Sequence, residues 1–200
     1  VLVPWKKSRP EDLKSGVDLI TADKGGLVYQ PIKGLHEHVA ELDFSAMYPS
    51  IMVRFNISPE TVGAPEGDPV PELGTRIRSD REGLIPETLA PLLEKRQRYR
   101  ALVKSLPAED PHREAYKRRY SAHKWLLVTC FGYLGYKNAR FGRIEAHEAV
   151  TAYGREVLLQ AKELVEERGF RVLHIYVDGM WISKPSARQQ PDYEALLEDI

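Results

Sequence analysis

The sequence predicts an α/β fold in the broad, α+β sense: an antiparallel sheet backed by helices, with an antiparallel helical hairpin inserted between its two sequence halves. Three observations predict it. A short apolar run (Val39, Leu42, Phe44) carries Asp43 near its end and is followed by an aromatic-Pro-Ser turn. The segment Arg171-Val172-Leu173-His174-Ile175-Tyr176-Val177-Asp178-Gly179-Met180-Trp181-Ile182 has β-rich runs on both sides of an Asp-Gly, the strongest short-range hairpin signal, and stands Asp178 at the hairpin tip. Between these segments lie two basic, helix-patterned stretches joined by a short loop.

The chain is large enough to bury a core, at 200 residues with 42% hydrophobic content, as one globular domain or two small lobes. Twenty-nine basic and 29 acidic side chains cancel, so a nucleic-acid signal has to come from where charge lies. The single cysteine, Cys130, excludes an internal disulfide framework and a cysteine zinc cluster, and fits a reducing compartment. No apolar stretch reaches membrane-spanning length, and the N-terminus lacks a signal-peptide layout. The expectation is a cytoplasmic protein with no membrane partner.

Val1 to about Leu19 is mixed, contains Pro and Lys, and reads as an approach segment. Asp23-Lys24-Gly25-Gly26-Leu27-Val28-Tyr29 pairs two glycines with a short β-rich run, for which a hairpin turn is the simplest reading. Pro31 to Gly34 turns the chain into the strand that ends at Asp43, and Ile51-Met52-Val53 is a second apolar run. A lone Asp there reads as a cap for whatever follows. Gly63 to Gly83 is rich in Pro, Gly and charge without periodicity, and reads as a loop and lobe boundary.

Pro86 to Leu106 is helical by pattern: Leu89, Leu92, Leu93, Gln97, Ala101 and Leu102 make one stripe, with Lys95, Arg96, Arg98, Arg100 and Lys104 opposite. Pro107 stops it, and a second helix runs from about His112 to Thr129. Such charge is ordinarily a solvated face; its place between two carboxylate segments makes it a candidate surface for phosphates. Gly132-Tyr133-Leu134-Gly135-Tyr136 reads as a backbone passing close to something flat, or as a packed turn. Glu145 to Arg168 is a third helix, stopped by Gly169, and Ser183 to Ile200 is polar and then weakly helical. Two carboxylates on strand ends with a basic segment between them suggest two-metal phosphoryl transfer.

Four blocks in order carry a resemblance. Asp43-Phe44-Ser45-Ala46-Met47-Tyr48-Pro49-Ser50-Ile51 is similar to the motif D-F-x-S-L-Y-P-S-I, with Gly25-Gly26 and Lys33-Gly34-Leu35-His36-Glu37 resembling the segment before it. Leu92-Leu93-Glu94-Lys95-Arg96-Gln97 looks like a first fingers helix. Lys124-Trp125-Leu126-Leu127-Val128-Thr129-Cys130-Phe131-Gly132-Tyr133 is similar to K-x-x-x-N-S-x-Y-G-Y, and Tyr176-Val177-Asp178-Gly179 to D-T-D-G. From about Gly25 to Lys184 the chain resembles the palm and fingers of a family B (DNA polymerase alpha/II-like) DNA polymerase, of a divergent archaeal or bacterial type.

The resemblance implies a division into palm, first part (residues 1–82), fingers hairpin (83–133) and palm, second part (134–200), with no exonuclease or thumb segment. It implies primer-template DNA and dNTP as partners, two Mg²⁺ ions, a second chain as one source of thumb or exonuclease, and a nucleoid-associated place in the cytoplasm. Asp43, Asp178 and the Phe44 carbonyl would hold metal. Lys124 and Arg96, with Arg100 one turn on, would hold the triphosphate. Phe44, Ser45, Ala46, Met47, Tyr48 and Phe131 would line the nucleotide site, with Tyr48 beneath the sugar to exclude a 2′-hydroxyl. Gly25, Gly26, Gly132 and Tyr133 would face DNA. His147 and His174 read as packed or surface residues.

The chain departs from the motifs at Ala46 (Ser expected), Val128 (Asn), Phe131 (Tyr) and Tyr176 (the first Asp). A competing register makes Asp178 the first acid and sets Met180 at the second. Two further readings stand beside the polymerase: a catalytically inactive polymerase-like module for DNA binding or assembly, and a structural domain whose helical hairpin binds anions non-specifically.

Overall fold

The computed structural model describes residues 14–136 and 138–200. Most of the expected approach segment, residues 1–13, lies outside the described residues. In chain order the elements are α1 (Gly16–Ala22), β1 (Val28–Tyr29), β2 (Val39–Asp43), α2 (Met47–Arg54), β3 (Asp68–Pro69), β4 (Arg76–Ile77), α3 (Leu84–Ser105), α4 (Arg113–Gly135), α5 (Ile144–Glu167), β5 (Arg171–Tyr176), β6 (Gly179–Ser183) and α6 (Gln190–Leu197).

The main sheet is antiparallel throughout, in the order β1-β5-β6-β2. Its inward side chains follow from the period-2 alternation. Leu42 pairs with Met180 and Ala40 with Ile182; Met180, Ile182 and Ile175 are buried against helices. α5 supplies the other half of that core with Ala146, Ala149, Val150, Tyr153, Leu158, Ala161 and Val165, all buried. Val157 and Leu164 of the same helix are only partly buried. α2 lies between α5 and the helical hairpin, and its Ile51 and Met52 are buried.

Three local expectations are corrected. The Pro-Ser turn and second apolar run are one helix, α2: Pro49 falls in its first turn, where a missing N–H costs nothing, and Ser50 N–H donates to the Ala46 carbonyl at 3.0 Å. The stretch read as a plain loop contains the two-stranded β3–β4 sheet, pinned by buried Val62, Val70 and Ile77. The second hairpin helix does not stop at Thr129 but runs on through Gly132 to Gly135.

The α3–α4 hairpin is thinly cored. Only Pro86 and Leu89 of α3, and Leu127 and Leu134 of α4, are buried. Rings and cations join the helices instead: Tyr99 stacks near Tyr116 (5.9 Å), Arg119 lies over both rings at 5.9 Å, and Arg96 lies over Tyr120 at 5.1 Å. Such contacts hold an arm together without burying its basic side chains. Among the described residues, no helix is long and apolar enough to cross a membrane.

Candidate functional site

The site is built by strand register. Asp43, the last residue of β2, pairs with Gly179, the first of β6, and Gly179 pairs in turn with Tyr176. One hydrogen bond continues the β2 side past the ladder, Phe44 N–H to the Asp178 carbonyl at 2.9 Å; on the other flank Val177 N–H donates to the Leu27 carbonyl at 2.9 Å. The hairpin tip is thus clamped from both sides. Its two turn residues are Val177 and Asp178, so the turn sits one residue earlier than the Asp-Gly signal implies. Val177 adopts a left-handed φ of 57°, unusual for a β-branched residue and a local strain that the two clamps hold in place.

Asp43 and Asp178 line one cleft of about 650 Å³. The Asp178 carboxyl is raised above its usual range, first by burial and then by the charge of Asp43. Neither carboxylate has a cationic or hydrogen-bonding side-chain partner among the described residues. Position 180 of the competing register is fully buried (0% exposed) and faces the core with Leu42, away from this cleft.

The opposite wall comes from the helical hairpin. Arg96, Arg100, Tyr120, Lys124, Leu127, Val128 and Phe131 line the same cleft. Arg96 donates to the Tyr120 hydroxyl at 3.3 Å, and its buried Nε has no hydrogen-bond partner among the described residues. No carboxylate among the described residues neutralises Arg96, Arg100 or Lys124. Two acids and three cations that form no ion pair among the described residues therefore line one cleft, an arrangement that favours a polyanion bridged to a divalent cation.

The floor is α2 and the residues before it. Phe44, Ser45, Ala46, Met47 and Tyr48 all line the cleft. Ala46 holds a left-handed φ of 55° at the N-cap without a side-chain cap bond, so the Ser expected there is not replaced by another capping group. The Phe44 carbonyl accepts from Met47 N–H at 3.2 Å and keeps a second lone pair. Tyr48 is wedged among close neighbours. A methyl group on Gly154 would sit 3.1 Å from its ring, and one on Gly26 would sit 3.2 Å from its hydroxyl. Its phenol is raised by burial first and then by Asp178, against a lowering by Arg155.

Eleven expected residues thus meet at one cleft, and four stand outside it. Gly25 and Gly26 form the loop behind Tyr48 and Val177; the Gly25 carbonyl accepts from buried Arg155 at 2.5 Å, and Arg155 also pairs with Glu72 at 3.1 Å. Gly132 and Tyr133 lie on the exposed side of α4, and the space beside Gly132 is open. His174 stacks on Trp181 (5.0 Å) as a packed residue. Tyr120 was missed, although its position four residues before Lys124 places it on the same helix face. Cys130 points away: burial pushes its thiol up to about 11, and it donates to the Leu127 carbonyl at 2.7 Å.

Because the folded state raises the Asp178 pKa, it binds that proton more tightly than the unfolded chain does. The carboxyl's contribution to stability is therefore greatest in acid and is lost as pH rises through the raised folded value. Asp178→Asn is expected to raise the metal-free melting temperature at neutral pH by about 1–2 °C, small because the group is solvent-accessible. Scanning calorimetry should find the gain gone below about pH 3, where the native carboxyl is neutral.

The family model for DNA polymerase family B matches residues 6–186. DNA polymerase 2 of Saccharolobus solfataricus is 39% identical over 183 residues, 90% of this chain and 26% of that protein. DNA polymerase 1 of Pyrococcus abyssi is 35% identical over 197 residues, 96% of this chain and 25% of that protein. The structure of the family B DNA polymerase from the hyperthermophilic archaeon Pyrobaculum calidifontis superposes with a TM-score of 0.72 at 32% identity, covering 98% of this chain and 25% of that one. The chain spans about a quarter of the length of the curated relatives it matches.

Proposed function

Because the chain belongs to DNA polymerase family B, we propose that it carries the nucleotidyl-transfer site of a DNA-directed DNA polymerase. In this reading residues 1–82 and 134–200 are the palm and 83–133 the fingers. The carrying observation is the cleft in which Asp43 and Asp178 face Arg96, Arg100 and Lys124. The reaction joins a primer 3′-hydroxyl to the α-phosphate of a dNTP and releases pyrophosphate.

The donor set suits Mg²⁺: two hard carboxylate oxygens, mutually repelling and without a cationic partner among the described residues, with a free lone pair on the Phe44 carbonyl. No group of three or more His, Cys, Asp or Glu side chains gathers among the described residues, so water and phosphate oxygens would complete the shell. Bound Mg²⁺ would supply charge stabilisation for the attacking and leaving oxygens. Asp43, Asp178 and the Phe44 carbonyl would hold it.

The chain's own residues do the rest. Lys124, Arg96 and Arg100 bind the triphosphate by charge-assisted hydrogen bonds. Tyr48 lies under the sugar, where its packed ring excludes a 2′-hydroxyl. Phe131 borders the base with an apolar face, and Val128 makes that wall less polar than the motif's Asn would. Gly25, Gly26, Gly132 and Tyr133 face the primer-template duplex.

Nucleotide binding tests the reading against the inactive module. Fluorescence titration with a labelled dNTP should show affinity rising at least tenfold when Mg²⁺ is added, because the two acids otherwise repel the triphosphate. Equal affinity with and without the metal would favour the catalytically inactive module.

A further inference from the structure

Three rings from three helices form one stack beside the cleft. Tyr48 of α2 meets Phe131 of α4 with centroids 4.4 Å apart and planes tilted by 44°. His147 of α5 lies flat on Phe131, 4.0 Å away at 18°. The imidazole is held at Nδ1, 3.2 Å from the Phe131 carbonyl, while Nε2 points toward the Asp23 carboxylate, 3.9 Å away beside the Gly25-Gly26 loop. α4 and α5 approach closely here because Gly135 lacks a side chain. A methyl group at that position would sit 2.9 Å from His147 Nδ1.

We propose that His147 is the positioning residue for sugar selection: through Phe131 it sets the plane of Tyr48. This rests on the reading of Tyr48 as the residue beneath the sugar. The physical need is plain. Tyr48 has two rotatable side-chain bonds, and its hydroxyl makes no hydrogen bond among the described residues. Among the described residues packing fixes it, against Gly154, Gly26 and Phe131. Phe131 in turn lies in the last two turns of a thinly cored helix, and His147 is the ring that backs it. An offset stack of this kind holds a plane through geometry as well as buried area. Removing the backing ring leaves Phe131 free to tilt back and Tyr48 free to follow, opening room beneath the sugar where a 2′-hydroxyl fits.

The test is single-nucleotide incorporation by the intact protein, comparing kcat/KM for dATP and ATP. His147→Ala is expected to lower the deoxy-to-ribo ratio about tenfold, the size of a displaced packing contact in a discriminating pocket. His147→Phe keeps the ring and should restore the ratio. His147→Gln keeps a polar partner for the Phe131 carbonyl without the ring and should behave as His147→Ala. A role confined to holding α4 against α5 would lower the melting temperature and both kcat/KM values together, leaving the ratio unchanged, and that result overturns the proposal. So does a His147→Gln variant with the wild-type ratio. Tyr48→Ala separates the two ideas: a ratio that collapses there but not in His147→Ala refutes only the positioning role, whereas a ratio unmoved in both refutes the reading of Tyr48.

Discussion

Primer extension is expected to fall by about 10³-fold or more when Asp43 or Asp178 is replaced by alanine, the order lost when one charge-stabilising group leaves a preorganised site. Among the described residues, the two carboxylates hold no side-chain partner that the loss would orphan. Neither caps a helix, and the strand pairing around them is backbone to backbone. Folding should therefore survive both changes, and Asp178→Ala should melt no lower than the parent protein. Loss of activity with retained stability marks a functional pair. Activity within a few-fold of the parent in either variant would remove the pair from the chemistry.

The second large effect belongs to the opposite wall. Lys124→Ala should lower kcat/KM for the dNTP by about 10²–10³-fold, because its side chain lines the cleft and pairs with no carboxylate among the described residues. Lys124→Arg should recover part of it, since a planar fork cannot reproduce a point charge at one oxygen. Arg96→Ala should cost less in binding and more in stability, because Arg96 also lies over Tyr120 and joins the two helices. Steady-state kinetics with calorimetry distinguishes the two residues. A Lys124→Ala enzyme with unchanged KM and kcat would place the triphosphate elsewhere.

The place of the two acids at one cleft follows from local patterns, a strand end for Asp43 and a hairpin tip for Asp178. Asp43 follows an apolar run, and Asp178 lies within β-rich flanks. The same patterns misplace the turn by one residue, since Asp-Gly is the commoner two-residue loop and nothing local shows that Val177 accepts a left-handed φ. β3 and β4 are two residues each, and Val62, Val70 and Ile77 anchor them in a core shared with distant segments, so the local pattern alone does not reveal them. α4 passes through Gly132 and Gly135, residues that read locally as breakers. At Gly135 a side chain would crowd His147. His147 itself looked inert for the same reason: its partners, Phe131 and Asp23, lie 16 and 124 residues away and meet it only in the fold.

Electron resonance of bound Mn²⁺, in the presence of a non-hydrolysable dNTP analogue, tests most directly whether the two acids form one cation site. Two ions per chain in the parent protein, reduced to one or none in Asp178→Asn, is the expected result. Full occupancy in that variant, or no nucleotide-dependent binding in the parent, would contradict it.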